Sequence, residues 1–562
     1  MKSFILIILL FAELCFAFDL SKYGIKPTFT FDSIANRAEQ TWTIDSSALE
    51  YTISSKRISD STFILLKTYE GKAIANVISS SQLKDVKEYQ IYKKGRFQDS
   101  TIYSAYSYFV AGIDTTLPKF PKKMLILIDD SFIDSLSNLI EKLQTKLAEN
   151  FIATVVLPTP RAEVFNSKAV TVTKNIILKY KQLHPDISSV LLLGRIAVPY
   201  SGDIAPDGHP EHRGAWHSDG FYGDLGNNWT DDIVSSKKSS FPRQFNMPLD
   251  GKFDQVRYDK IDLAIGRVDF FDMPAFNESE FELLQRYLEK DIEYRNAKPT
   301  NRNGIVFDNF KNIYASNATE NINNICNFSK VEYGRIRELS RTKSYLLGYI
   351  NGGGTSTSSD DGLYTEELAK FPLNVTFLSI FGSYNIDFDF QNNLLRAALA
   401  SKPANIVCYS GTFPQWHLYR MGFGYSIGDA LLQVQNNSGQ YPSNYDIETR
   451  GVHIALLGDP TLDLYPSNDL GIISSSQDNN LLKIKINFKE SEAKLIGFKT
   501  VILKNNYTNF QEIAEFDSTK RDFTFDLGEI DSNQVLIYPI LEYTVPTGKF
   551  RKIGGGKLII AK

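Results

Sequence analysis

The chain has 562 residues, more than one hydrophobic core can organise, so several domains are expected. A hydrophobic share of 43% and a charged share of 22% exclude a disordered chain. The net charge of −4 and pI near 6.0 do not supply the basic stripe of a nucleic-acid surface, and a 13% aromatic content favours β-rich parts and contacts with protein or carbohydrate.

Residues 1–17, MKSFILIILLFAELCFA, read as a signal peptide. Lys2 forms the basic region, Phe4–Phe11 the apolar one, and Cys15-Phe16-Ala17 has small residues where a signal peptidase reads them. The run is too short to span a bilayer, and no later segment is long and apolar enough. The mature protein is therefore expected to be secreted or held at the cell surface, in a bacterial envelope. Cys15 leaves with the signal, so Cys326 and Cys408 remain, which is no disulfide framework.

Residues 18–115 are rich in Thr, Ser, Tyr and Phe, with β-prone stretches such as Thr62–Thr68 and Ala73–Ser79, and read as a β-sandwich. From 116 the texture changes. KMLILI (123–128) is a near-continuous apolar strand, of the kind a parallel sheet buries on both faces. Leu136, Leu139, Ile140, Leu143 and Leu147 then recur at helical spacing. IATVVL (152–157), a helix around 168–184, SVLLLG (189–194) and IDLAIG (261–266) continue the alternation. A helix follows Phe276, with Asn277 as N-cap and Glu280 completing a capping-box-like pair. GIVF (304–307), VTFLSIF (375–381), ANIVC (404–408) and VHIALLG (452–458) are further strands, with helices near 391–400 and 425–436 between them. Residues 116–465 thus read as an α/β domain with helices on both faces of a parallel sheet, in two subdomains that meet near 270. LLKIKINF, KTVILK, RDFTFDL and QVLIYPILEY then make 466–562 a second β-sandwich, of immunoglobulin or fibronectin type III style.

Four places could carry chemistry. Residues 201–232 form a long polar excursion with three of the six histidines. Asp207, His209, His212, His217, Asp219, Asp224, Asp231 and Asp232 make it a candidate metal site, for Ca²⁺ ahead of Zn²⁺. The alternative is a loop tied down by its own side chains. Gly352–Gly354 form a glycine run, but without the lysine of a phosphate loop, so backbone freedom explains it better. Cys408 and His417 are the minimum pair for thiolate catalysis, although a cysteine in a buried strand is more often packing. Finally, Gly382-Ser383-Tyr384 is a fragment of a nucleophile-bearing turn, and no histidine is placed to serve Ser383.

Several pieces together resemble the gingipain-like cysteine peptidases: LGRIAVPY (193–200), DGFYGD (219–224), DLAIGR (262–267) and LGDPTL (457–462), in that order, within about 116–465. The resemblance implies a caspase-like α/β fold, export, and often an immunoglobulin-like domain behind the catalytic one. It also implies a catalytic histidine in a Gly-His-Gly loop and a catalytic cysteine in a Gly-Ser-Cys-Asn-like loop. Here the first loop is Asn351-Gly352-Gly353-Gly354 and the second Gly382-Ser383-Tyr384-Asn385, so Gly353 and Tyr384 hold the two catalytic places. Glycine cannot act as a base, and a tyrosine with its ordinary pKa near 10 is a poor acyl acceptor. The expectation is an exported, catalytically inactive member that binds a protein, a peptide or a cell-surface glycan. The alternative is an active hydrolase using Cys408 with His417, or a metal held by residues 207–232. Mature protein from the native host should begin at Phe18; N-terminal sequencing that finds Met1 in place would refute the export expectation.

Overall fold

A computed structural model describes residues 23–561, apart from 298–301, 310–321, 326–329, 411–415, 443–449, 468, 490–491, 505–506 and 531. The signal segment, Cys15 and Cys326 lie outside the described residues.

The centre is a ten-stranded sheet. Its strands are β1 (Lys122–Asp129), β2 (Ile152–Thr159), β3 (Ile187–Leu193), β4 (Ala264–Val268), β5 (Gly304–Asp308), β6 (Val331–Tyr333), β7 (Tyr345–Asn351), β8 (Val375–Phe381), β9 (Val407–Ser410) and β10 (Ala455–Leu457). Their spatial order is β6-β5-β7-β8-β9-β10-β4-β3-β1-β2. The apolar runs exist because both faces are covered. In β1, Met124, Ile126 and Ile128 pack on one side beneath helix α1 (Ser137–Glu149), while Leu125 and Leu127 pack on the other beneath α2 (Ser167–Leu183). Helices α3 (Glu280–Arg295) and α4 (Leu394–Ala400) share the first face, and α5 (Ile427–Gln435) packs among the residues of a third cluster with Phe377 and Val407. The chain is thus an α/β protein with β-rich flanks.

One pairing breaks the parallel pattern. β9 and β10 are antiparallel, while β10 is parallel to β4. The sheet therefore consists of two parallel halves that run in opposite directions, and their carboxyl ends face opposite edges. The chain between β3 and β4 leaves from one edge and returns at the other.

The helix after Phe276 begins later than its sequence suggests. Ser279, not Asn277, is the N-cap, and Glu282 rather than Glu280 completes the reciprocal capping box. Both pairs have the same spacing, and the one farther from Phe276 wins; Glu280 is instead drawn into an ion pair with Arg161 at 2.8 Å.

The flanks are sandwiches that share a sheet. In the first, Thr28–Asp32, Arg37–Thr41 and Ala75–Ile78 form a small sheet beside Ala48–Arg57, Ile64–Glu70, Lys87–Arg96 and Ile102–Asp114. In the last, Leu470–Asp478, Leu481–Phe488 and Asp522–Asp526 stand beside Lys494–Lys504, Asn509–Asp517, Gln534–Val545, Gly548–Ile553 and Lys557–Ile560. Strand Ile102–Asp114 pairs in parallel with Gly548–Ile553, with Gly112 opposite Gly548, and joins the two flanks into nine continuous strands. The first flank also docks on the α/β body. Buried Glu88 accepts hydrogen bonds from Arg420 Nε at 2.6 Å, the Tyr419 hydroxyl at 2.8 Å and the Tyr441 hydroxyl at 2.7 Å, and pairs with Lys56.

Gly548 has φ +150°, and a Cβ there would strike the Gly112 carbonyl oxygen. Gly548→Val should cost on the order of 1–3 kcal/mol, the usual cost of a side chain in a glycine-only conformation. Amide hydrogen exchange should then show loss of protection in both Ile102–Asp114 and Gln534–Val545; loss confined to the latter would contradict a shared sheet.

Candidate functional site

β7 and β8 are parallel neighbours in register, with Asn351 opposite Phe381. Two loops leaving adjacent strands at the same level must therefore meet. The Gly352 amide donates to the Phe381 carbonyl at 3.2 Å, and a Cβ on Gly382 would lie 3.1 and 3.2 Å from the carbonyl oxygens of Gly352 and Gly353. Asn385, fully buried, locks the loops together: its Nδ2 donates to the Ser358 carbonyl at 2.8 Å and to the Thr355 carbonyl. The loops that carry Gly353 and Tyr384 thus stand side by side.

Neither position is empty of constraint. The Gly353 amide donates to Asp360 Oδ2 at 2.7 Å, and a Cβ at 353 would sit 3.0 Å from that oxygen. Any side chain there meets a carboxylate first. Tyr384 adopts a left-handed φ of +52°, which swings its ring toward the excursion between β3 and β4. The ring packs on His212, 3.4 Å between centroids, and edge-on to Phe241 at 5.2 Å. Burial pushes the phenol up to about 12, assisted by the charges of Asp207, Glu211 and Asp387. At pH 7 only about one molecule in a hundred thousand would carry the phenolate, far too few for a nucleophile.

The excursion's other candidates scatter. His212 pairs with Asp207; burial opposes the Asp207 charge, but the His212 bond prevails and holds the carboxyl below its usual range. His209 is exposed, with Nδ1 3.8 Å from Glu211. His217 donates from Nε2 to the Ile386 carbonyl and packs 4.0 Å from the Phe388 ring. Asp219 holds Arg267 with two bonds, 2.7 and 2.8 Å, both groups buried. Asp224 accepts from the Gly226 and Asn227 amides, Asn227 Nδ2 and Trp229 Nε1. Asp231 accepts from the Leu249 and Gly251 amides, and Asp232 is exposed. Among the described residues no three His, Cys, Asp or Glu side chains converge as a metal site. The carboxylates hold the backbone of a loop that has little apolar anchorage of its own.

Cys408 and His417 are not together. Cys408 is fully buried in the core on one face of the sheet, where burial drives its thiol far above the ordinary value. His417 is boxed by Tyr108, Tyr419 and Tyr441, at ring distances of 5.3, 6.1 and 5.0 Å, all members of the core on the opposite face.

Sequence reading missed an inner layer. Arg243 pairs with buried Asp387 beside Phe241 and Phe390. Asp389 is bridged to Arg195 at 2.6 Å and accepts from the Tyr200 hydroxyl at 2.6 Å. The available signal was the alternating acid pattern of Asp387-Phe388-Asp389, five residues of chain from Tyr384.

No family model matches the chain, and no curated protein does. Among solved structures it is similar to one described as "Structure of Protease", with 12% identity over 79% of this chain and 98% of that one, at a TM-score of 0.47. A pectate lyase from Erwinia chrysanthemi (9% identity, 19% of this chain, 35% of that one, TM-score 0.13) and a sialyltransferase from Photobacterium damsela (12%, 65% and 95%, 0.13) are weaker matches. None of these likenesses bears on the chemistry, which rests on the residues themselves.

His453 lies near His217, is buried, and has no hydrogen-bond partner for either ring nitrogen among the described residues. Burial pushes His217 and His417 down to about 4 and His453 to about 3. Their folded values lie below the unfolded value near 6.5, so the unfolded chain takes protons first. Stability from these groups is complete above pH 6.5 and is lost as pH falls toward 4. Asp387, which burial pushes up to about 6, acts in the opposite sense over the same window. The readout is therefore a difference. His453→Leu forfeits no hydrogen bond, and its melting temperature should gain on that of the wild type between pH 7 and pH 4.5; a constant gap would show that His453 is not a buried neutral imidazole.

Proposed function

We propose that this is an exported, gingipain-like protein that has lost peptidase chemistry and acts as a binding or structural module of the cell envelope. One observation supports the reading: the loops that carry Gly353 and Tyr384, which the resemblance assigns the places of base and nucleophile, leave the neighbouring strands β7 and β8 at the same level. A cysteine peptidase needs a thiolate and a base within hydrogen-bond reach. At this spot the chain offers a protonated phenol, packed between His212 and Phe241, and a glycine whose amide is held by Asp360. His212 is the imidazole nearest the phenol by ring contact, but it is committed to Asp207 and would have only the phenol to activate. Losing both members of a cooperating pair removes a mechanism rather than tuning it.

A protein, a peptide or a surface glycan is the ligand class that an aromatic-rich exported module suits, with Tyr384 and Phe241, half-buried over the buried His212, as the aromatic edge it would meet.

Purified full-length protein should cleave no member of a mixed peptide library, with or without reductant. Neither iodoacetamide nor a chelator should change that baseline, and Cys408→Ala should lower the melting temperature without altering it. Cleavage that iodoacetamide abolishes would overturn the reading and place the nucleophile elsewhere.

A further inference from the structure

The junction between the α/β body and the last flank holds a cavity of about 390 Å³ that shares no residue with the Tyr384 cleft. Three walls drawn from separate parts of the chain build it. Asp114 to Pro118 form one wall, where the first flank passes into the body. Asn150–Ile152, at the start of β2, and Phe423–Ser426, leading into α5, form the second. Phe550–Ile553 of the shared flank sheet closes the third.

The floor is apolar and already ordered. Phe151, Ile152, Phe423, Phe550 and Ile553 are all buried, and the Phe423 and Phe550 rings meet at a tilt, 5.2 Å between centroids. Gly424, at φ +85°, lets the backbone pass against the Phe550 ring, whose nearest atom lies 2.6 Å from where a Cβ would be. Half-buried Leu117 borders the opening.

The charges at the rim are mostly spent on one another. Lys122 pairs with Asp429 at 3.0 Å. Lys552 divides its protons between the Asp463 carboxylate at 2.6 Å and the Tyr465 carbonyl at 2.9 Å. Asp114 accepts from the Thr116 amide and hydroxyl. Two donors remain. Arg551 bonds Glu542 through Nε at 3.3 Å, and its two terminal nitrogens have no partner among the described residues. The Tyr425 hydroxyl has none among them either, and burial pushes it up to about 12, so it stays a donor at neutral pH.

An apolar floor of ring-sized width with two unclaimed donors at its rim is the complement of one kind of molecule. We propose that this cavity is a second ligand site, and that it takes a small amphiphile with a planar apolar body and a single anionic head, a carboxylate or a sulfonate. The body would lie on Phe423 and Phe550. The head would accept from Arg551 and Tyr425. Because all three walls come from different parts of the chain, the bound molecule would also tie the last flank to the body.

The probe is 1-anilinonaphthalene-8-sulfonate, titrated into full-length folded protein and read by fluorescence. The expected result is saturable one-site binding. Leu117→Trp, which fills the opening, should abolish it, while Arg551→Met and Tyr425→Phe should each weaken it about three- to ten-fold, the usual worth of one hydrogen bond. Near-ultraviolet circular dichroism keeps count of folding for each variant. Wild-type protein without a saturable signal would overturn the proposal. So would binding that survives Leu117→Trp, or binding indifferent to both Arg551→Met and Tyr425→Phe.

Discussion

The in-register parallel pairing of β7 with β8 is the constraint on which the candidate site depends. Six paired positions, from Tyr345 with Val375 to Asn351 with Phe381, end the two strands at the same level. The backbone has no choice afterwards: two loops leave side by side, and glycines at 352 and 382 allow their carbonyls and amides to approach. Everything chemical about the site follows from which side chains that geometry delivers. It delivers a tyrosine and a glycine, and a carboxylate, Asp360, on the amide of the glycine.

The second determinant is the long excursion between β3 and β4. It contains little apolar periodicity, yet it is not loose, because its acids cap its own amides and its few aromatic groups reach into the body. Trp216 and Tyr222 are buried, and Tyr258 donates to the Val452 carbonyl. That anchorage places His212 and Phe241 against Tyr384. The excursion thus covers the loops after β7 and β8, and the Arg243–Asp387 and Arg195–Asp389 pairs seal the layer below.

What could be read from sequence, and what could not, divides by the range of the interactions. VTFLSIF marks β8 from Val375 to Phe381 because a strand buried on both faces must be apolar along its length. The helix of residues 167–183 is legible for a similar reason: one face must turn Val170 and Ile177 inward. The N-cap of α3 is less so, since Asn277 and Ser279 offer equivalent local chemistry and the tertiary pull of Arg161 on Glu280 decides between them. The sharing of a sheet by the two flanks is illegible, because an edge strand carries no mark of its partner. The stacking of His212 on Tyr384 is equally hidden: it joins residues brought together by a loop path, and loop paths leave no periodicity. Motif resemblance points to Gly353 and Tyr384, but nothing in the residues between them announces Asp360 or Asn385 as the groups that hold the two loops.

The seam between Gly112 and Gly548 has a consequence for how the molecule comes into being. Its partners are far apart in the sequence, and a ribosome releases the first long before the second. Through that interval the strand Ile102–Asp114, paired on one side with Lys87–Arg96, lacks on its other side, at Gly112–Asp114, the partner it later finds in Gly548–Phe550. Loop closure over so long a chain is slow, and unpaired edges are where chains adhere to one another. A strand close to the end of the sequence, Gly548–Ile553, is what finally covers that edge of the first flank, so the edge stays open for as long as the chain takes to reach it.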